Sequence, residues 1–139
     1  MKISVIDASE YFRGLLLLSR KDHKITEAET ELMKRIGKTL GFEREFCDNA
    51  IREILENEYI LDTPPEFSTG ELAMRFIKDG LTLAFSDKEV PAFEAEWLRT
   101  TAEKNGLDVK WFVQQWKNAT NRKETDGRLE VDDLSVKYS

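Results

Sequence analysis

Shifted by sixty-five positions, residues 15–51 lie over residues 80–116 without a gap, and this internal register constrains the fold more than any other feature of the sequence. Leu16 falls on Leu81, Leu18 on Leu83, Asp22 on Asp87, Ile25 on Val90, Glu29 on Glu94 and Glu31 on Glu96. Further along, Leu32 meets Trp97, Met33 meets Leu98, Gly41 meets Gly106, Phe42 meets Leu107 and Phe46 meets Trp111. The agreeing positions are helix caps, stops and core sites, together with two acidic pairs, which is the mark of an internal duplication. Two equal helical units cannot each bury an apolar face alone. They are expected to pack about an approximate twofold axis as one bundle.

Each unit reads as helix, acidic loop, helix, glycine stop and next helix. Asp7-Ala-Ser-Glu10 has a capping-box pattern and predicts a helix from near Ala8 to about Arg20, whose run Leu15 to Leu18 is wide enough to be buried on more than one side. Thr26 with Glu29 opens a second helix carrying Leu32, Met33, Ile36 and Leu40 on one face, and Gly41 supplies a left-handed stop. Phe46, Cys47, Ala50, Ile51, Ile54 and Leu55 make a third, and Pro64-Pro65 mark the midpoint connection. Ser68-Thr-Gly-Glu71 caps a fourth helix with Leu72, Phe76, Ile77, Leu81 and Ala84. Pro91 stands in the first turn of a fifth with Trp97, Leu98 and Ala102, and a last helix holds Trp111, Phe112, Gln115 and Trp116.

No long period-two alternation is present, and "RLEVDDLSV" is the only strand candidate. The expectation is an all-α fold: a single-domain bundle of six or seven helices built from two pseudo-twofold-related repeats at about 10–57 and 68–118. The helical domain would cover 1–120 and a polar C-terminal tail 121–139, which Leu129, Val131 and Leu134 could dock on the bundle. A chain of 139 residues can bury a core of this size without disulfides or a structural metal. With 21 basic against 27 acidic residues, a net charge of -6 and no basic cluster beyond pairs such as Lys34-Arg35 and Arg122-Lys123, a phosphate-tracking nucleic-acid surface is excluded. The one cysteine, Cys47, sits among apolar helix positions, reads as a small core residue, and fits a reducing, cytoplasmic setting. The longest apolar run, "GLLLL", is far short of the roughly 20 residues that span a bilayer, so no direct membrane insertion is expected.

The acids carry the chemistry. Asp22 precedes Glu29 by seven residues, and Asp87 stands in the same relation to Glu94. A glutamate in a first helical turn meets the helix dipole favourably, and capping alone accounts for much of Glu29. It accounts less well for Glu94, because Pro91 replaces Thr26 and offers no side-chain oxygen. Neither reason explains an aspartate where the preceding helix ends, a place that disfavours negative charge.

The pattern Asp-x-x-[Ile/Val]-x-x-x-Glu, present as "DHKITEAE" and "DKEVPAFE" between a leucine-rich helix and a glycine-stopped one, resembles the tellurite-resistance TerB-like family over about residues 10–118. The family usually has glycine after the loop aspartate, where this chain has His23 and Lys88. The resemblance implies a noncatalytic stress-response protein that acts as an interaction or sensing module, with protein partners that include membrane-linked assemblies.

If a twofold brought Asp22, Glu29, Asp87 and Glu94 within about 5 Å of one another, each like-charge pair would cost about 3 kcal/mol at an effective dielectric near 20. A divalent cation relieves this, and four carboxylates without nitrogen or sulfur suit calcium, magnesium or manganese. An EF-hand is excluded, since counting Asp22 as first ligand puts Lys24 third and Met33 twelfth. His23, the single histidine, rules out two-histidine zinc sites. Two other readings stand beside the cation-binding one. The first is a metal-free acidic helical adaptor for protein partners. The second, a carboxylate-based metal hydrolase, lacks a nucleophile–base pair and a phosphate-cradling glycine loop, so no enzymatic activity is expected.

Overall fold

The computed structural model describes residues 1–20, 27–57, 59–85, 92–121 and 129–137. A short strand, β1 (Lys2–Ser4), leads into α1 (Val5–Arg20), α2 (Glu27–Thr39), α3 (Arg44–Glu56), α4 (Gly70–Ala84), α5 (Ala92–Lys104) and α6 (Val109–Thr120). A 3-10 turn (Glu130–Asp133) and a strand, β2 (Ser135–Lys137), follow. The architecture is an all-α bundle of six helices among the described residues, with β1 and β2 joined as a two-stranded parallel ribbon.

Helix boundaries recur at the offset found in the sequence. Moved by sixty-five positions, 5–20 becomes 70–85 against Gly70–Ala84, 27–39 becomes 92–104 against Ala92–Lys104, and 44–56 becomes 109–121 against Val109–Thr120. Both stops are glycines in the left-handed region, Gly41 at φ 84° and Gly106 at φ 73°, where a side chain is strained. The same two backbone bonds close each helix. Phe42 N donates to Gly37 O at 2.9 Å and Gly41 N to Lys38 O at 3.0 Å; Leu107 N donates to Ala102 O at 2.9 Å and Gly106 N to Glu103 O at 3.0 Å, which is Schellman geometry.

The core is organised around α1, which packs against α2, α3, α4 and α5. Leu15, Leu16, Leu17 and Leu18 are all buried, as an apolar run that reaches round the helix must be. Its seam with α4 is close: a Cβ on Gly14 would lie 2.7 Å from both Phe76 Cζ and Pro65 Cγ. The prolines lie in the connection between α3 and α4, which side chains pin in place. Asn105 accepts from Phe67 N at 2.9 Å and donates to Pro65 O at 2.9 Å, while Trp97 Nε1 donates to Asp62 O at 3.0 Å.

Local details depart from the sequence reading. Helix α1 starts at Val5 rather than near Ala8, because Ser4 Oγ accepts the Asp7 amide at 3.1 Å and makes Ser4–Asp7 the capping pair. Thr69, not Ser68, caps α4 by accepting Leu72 N at 3.2 Å. On α3 Cys47, Ile51 and Ile54 are buried, but Phe46 and Leu55 face outward, 53% and 48% exposed. Trp97 is a core residue, whereas Trp111 and Trp116 are half-buried at its edge. In the tail Leu129, Val131 and Leu134 are all buried, and their segment returns to α2, α4 and β1.

Candidate functional site

The duplicated glutamates stand in equivalent places. Glu29 lies in the first turn of α2 and Glu94 in the first turn of α5, each only 3% exposed. Glutamate is almost never buried to this degree unless its charge is met, and neither side chain is without an interaction partner. Their aspartate counterparts, Asp22 and Asp87, lie outside the described residues, as do His23, Thr26, Lys88 and Pro91. Among the described residues no group of three or more His, Cys, Asp or Glu side chains could hold a metal ion. Helix α2 packs chiefly on α1, α3 and the 3-10 turn, and α5 on α1, α4 and α6.

Another buried acid, Asp79, was not singled out by the sequence. Asp79, in the middle of α4, is 1% exposed, and its carboxylate accepts three hydrogen bonds: from Tyr11 Oη to Oδ2 at 2.6 Å, from Glu130 N to Oδ1 at 2.7 Å and from Val131 N to Oδ2 at 2.9 Å. Burial raises its pKa to about 6, against the lowering pull of these three donors. Burial, and then the neighbouring Asp79 charge, pushes the Tyr11 phenol well above its ordinary value. Around this centre Glu130 meets Arg75 at 3.2 Å and Lys78 at 3.9 Å, Asp133 lies 3.8 Å from Arg75, and Asp132 meets Arg35 of α2 at 2.6 Å. Asp7, also buried, accepts from Ser68 N at 3.1 Å and from Ser68 Oγ at 2.5 Å, which ties α1 to the chain entering α4.

A carboxylate with so displaced a pKa often belongs to a catalytic site. Here its oxygens are taken by structural donors, and Tyr11 beside it is wholly buried. The geometry holds a segment of chain. The signal for Asp79 was present in the sequence: Leu72, Phe76, Asp79 and Leu83 form one helical stripe, so an acid occupies a core position. Its partners lie far off in the chain, Tyr11 sixty-eight residues before it and the Glu130 and Val131 amides some fifty after, and no local pattern ties them to it.

Two surface grooves among the described residues carry apolar walls. One, about 320 Å³, runs between α1 and α3 and is lined by Phe12, Leu16, Phe42, Phe46 and Ala50 with Glu10 and Glu53 also at its walls. The Phe12, Phe42 and Phe46 rings pack with centroids 5.2–6.4 Å apart. The other, about 620 Å³, lies between α5 and α6 along Phe112, Val113 and Trp116. Comparison with known proteins finds no matching family model, no matching curated protein and no matching solved structure.

Proposed function

We propose that this chain is a noncatalytic, TerB-like helical module of the cytoplasmic stress response that takes a divalent cation at its two duplicated acidic corners and acts by binding or sensing through protein partners. The single observation that carries the reading is the paired burial of Glu29 and Glu94 in matching first turns. A cap needs no such burial, because a carboxylate facing solvent meets the helix dipole as well. In this reading the two halves are related by an approximate twofold axis, Asp22 and Asp87 complete the ligand set, and the ion is calcium, magnesium or manganese. No helix among the described residues is long and apolar enough to cross a membrane.

The test is thermal unfolding with each of the three ions. Saturation at about 100 times the dissociation constant is expected to add roughly 2.7 kcal/mol of stability, a gain that the double Asp22→Asn, Asp87→Asn variant should lose. Unchanged unfolding with all three ions would end the cation part of the proposal. A metal-free adaptor is the second reading, supported by Phe46 standing 53% exposed beside the groove between α1 and α3. It expects partner binding that survives a chelator and weakens with salt.

A further inference from the structure

The segment 129–137 sits on the bundle as a ligand sits on a receptor. Its polar anchoring comes through main-chain groups: the Glu130 and Val131 amides reach the Asp79 carboxylate, Ser135 N donates to Met1 O at 2.9 Å, and β2 pairs in parallel with β1 alone. Main-chain capture and strand addition are the means by which peptide-binding surfaces hold extended ligands. Selectivity is supplied separately. Leu129, Val131 and Leu134 fill apolar sockets, while Arg35, Arg75 and Lys78 face Glu130, Asp132 and Asp133.

Three features make this segment displaceable. A ribbon of two three-residue strands is marginal by itself. The ion pairs are partly exposed, with side chains 22% to 59% accessible, and pairs of that kind bind weakly. Two of the three hydrogen bonds to the buried Asp79 carboxylate come from the segment's amides, and release of the segment lets water replace them. The segment also has a groove of its own: α5 touches α1 directly, whereas the corresponding α2 and α4 are joined through the 3-10 turn seated between them.

We propose that the surface formed by α2, α4 and β1 is a peptide-docking site, occupied in cis by residues 129–137, which accepts in trans an acidic segment of a partner protein with the same alternation of apolar and acidic residues as Leu129-Glu-Val-Asp-Asp-Leu134. The chain's own segment is then an autoinhibitor of that interaction.

The probe is a fluorescein-labelled peptide of the sequence LEVDDLSVK added to the full chain. A Val131→Asp chain, whose own segment is repelled by Asp79 while the receptor surface is intact, is expected to bind it saturably and at least tenfold more tightly than the wild-type chain. A Glu130→Lys, Asp132→Lys, Asp133→Lys peptide should not bind. Absence of saturable binding to a Val131→Asp chain that keeps its helical circular dichroism overturns the proposal, as does equal affinity for both chains. Concentration-dependent dimerisation of the wild-type chain, displaced by the peptide, would replace the acidic partner by a second copy and overturn the partner class. Hydrogen exchange on the unmodified chain gives a check independent of any variant. The Glu130 and Val131 amides should exchange at least a hundredfold faster than those of Leu15 to Leu18, and equal protection would make the segment an integral part of the core and defeat the idea.

Discussion

The first half of the chain, α1 to α3, and the second, α4 to α6, begin and end their helices in the same register yet fill equivalent places differently. Gly14 in α1 corresponds to Asp79 in α4: the glycine lets Phe76 and Pro65 approach the backbone, while the aspartate holds the returning C-terminal segment. The second helix pair diverges too. Gly37 admits Cys47 Sγ where a Cβ would overlap it, whereas Ala102 and Phe112 stand at the matching sites. The Ser4 and Thr69 caps and the Gly41 and Gly106 stops are shared because they depend on a few neighbouring residues, although Glu43 makes no side-chain cap where Asp108 does. Core side chains differ because each half packs against something the other lacks.

Exchanging residues between the halves is the sharpest way to break this comparison. Gly14→Asp puts an acid among Phe76 and Pro65, with no donor provided for it, and an uncompensated buried charge costs roughly 3–5 kcal/mol. Urea unfolding that shows a loss below about 1 kcal/mol would mean that the two positions are interchangeable after all.

The next effect is pH dependence at Asp79. Its pKa is about 6 in the fold against an ordinary 3.8, so the folded state binds the proton more tightly. The stability it contributes is fully present below about pH 4 and is lost as pH rises through 6, a change of roughly 3 kcal/mol. Tyr11, Glu130 and Arg75 face the group, and Asp79→Asn should remove this slope. Unfolding free energies of the two chains from pH 4 to 7 that run parallel would show that Asp79 does not titrate in this range.

Smaller effects grade the attachment of the C-terminal segment. Val131→Ala should lose roughly 1–2 kcal/mol, since two buried methyl groups disappear from a wholly enclosed side chain. Arg35→Ala breaks a half-exposed pair with Asp132 and is expected to lose less than about 1 kcal/mol by the same measurement. If Arg35→Ala were the more damaging of the two, the segment would be held by charge and not by its apolar anchors.

Much of the bundle was legible because its signals are local. Gly41 and Gly106 announced the stops, the spacing of Leu72, Phe76 and Ile77 gave the buried face of α4, and the apolar width of Leu15 to Leu18 marked the central helix. Reading failed where a residue's partner was distant in the chain. Asp7 looked like a cap but ties down Ser68, and Phe46 looked like a core residue though its flank of α3 faces outward. At the candidate site, Glu29 and Glu94 were named from spacing alone, and their burial adds a property that spacing could not supply. Asp79 escaped because an acid on an apolar stripe shows that something unusual happens there without saying what meets it.

The tight seat of Cys47 against Gly37 equips the chain with its own stopwatch. The sulfur is enclosed, and burial raises its pKa, so a thiol-directed reagent has neither access to it nor much thiolate to attack. Alkylation must wait until α2 and α3 part, and the rate at which the cysteine is consumed times that opening with no foreign label attached.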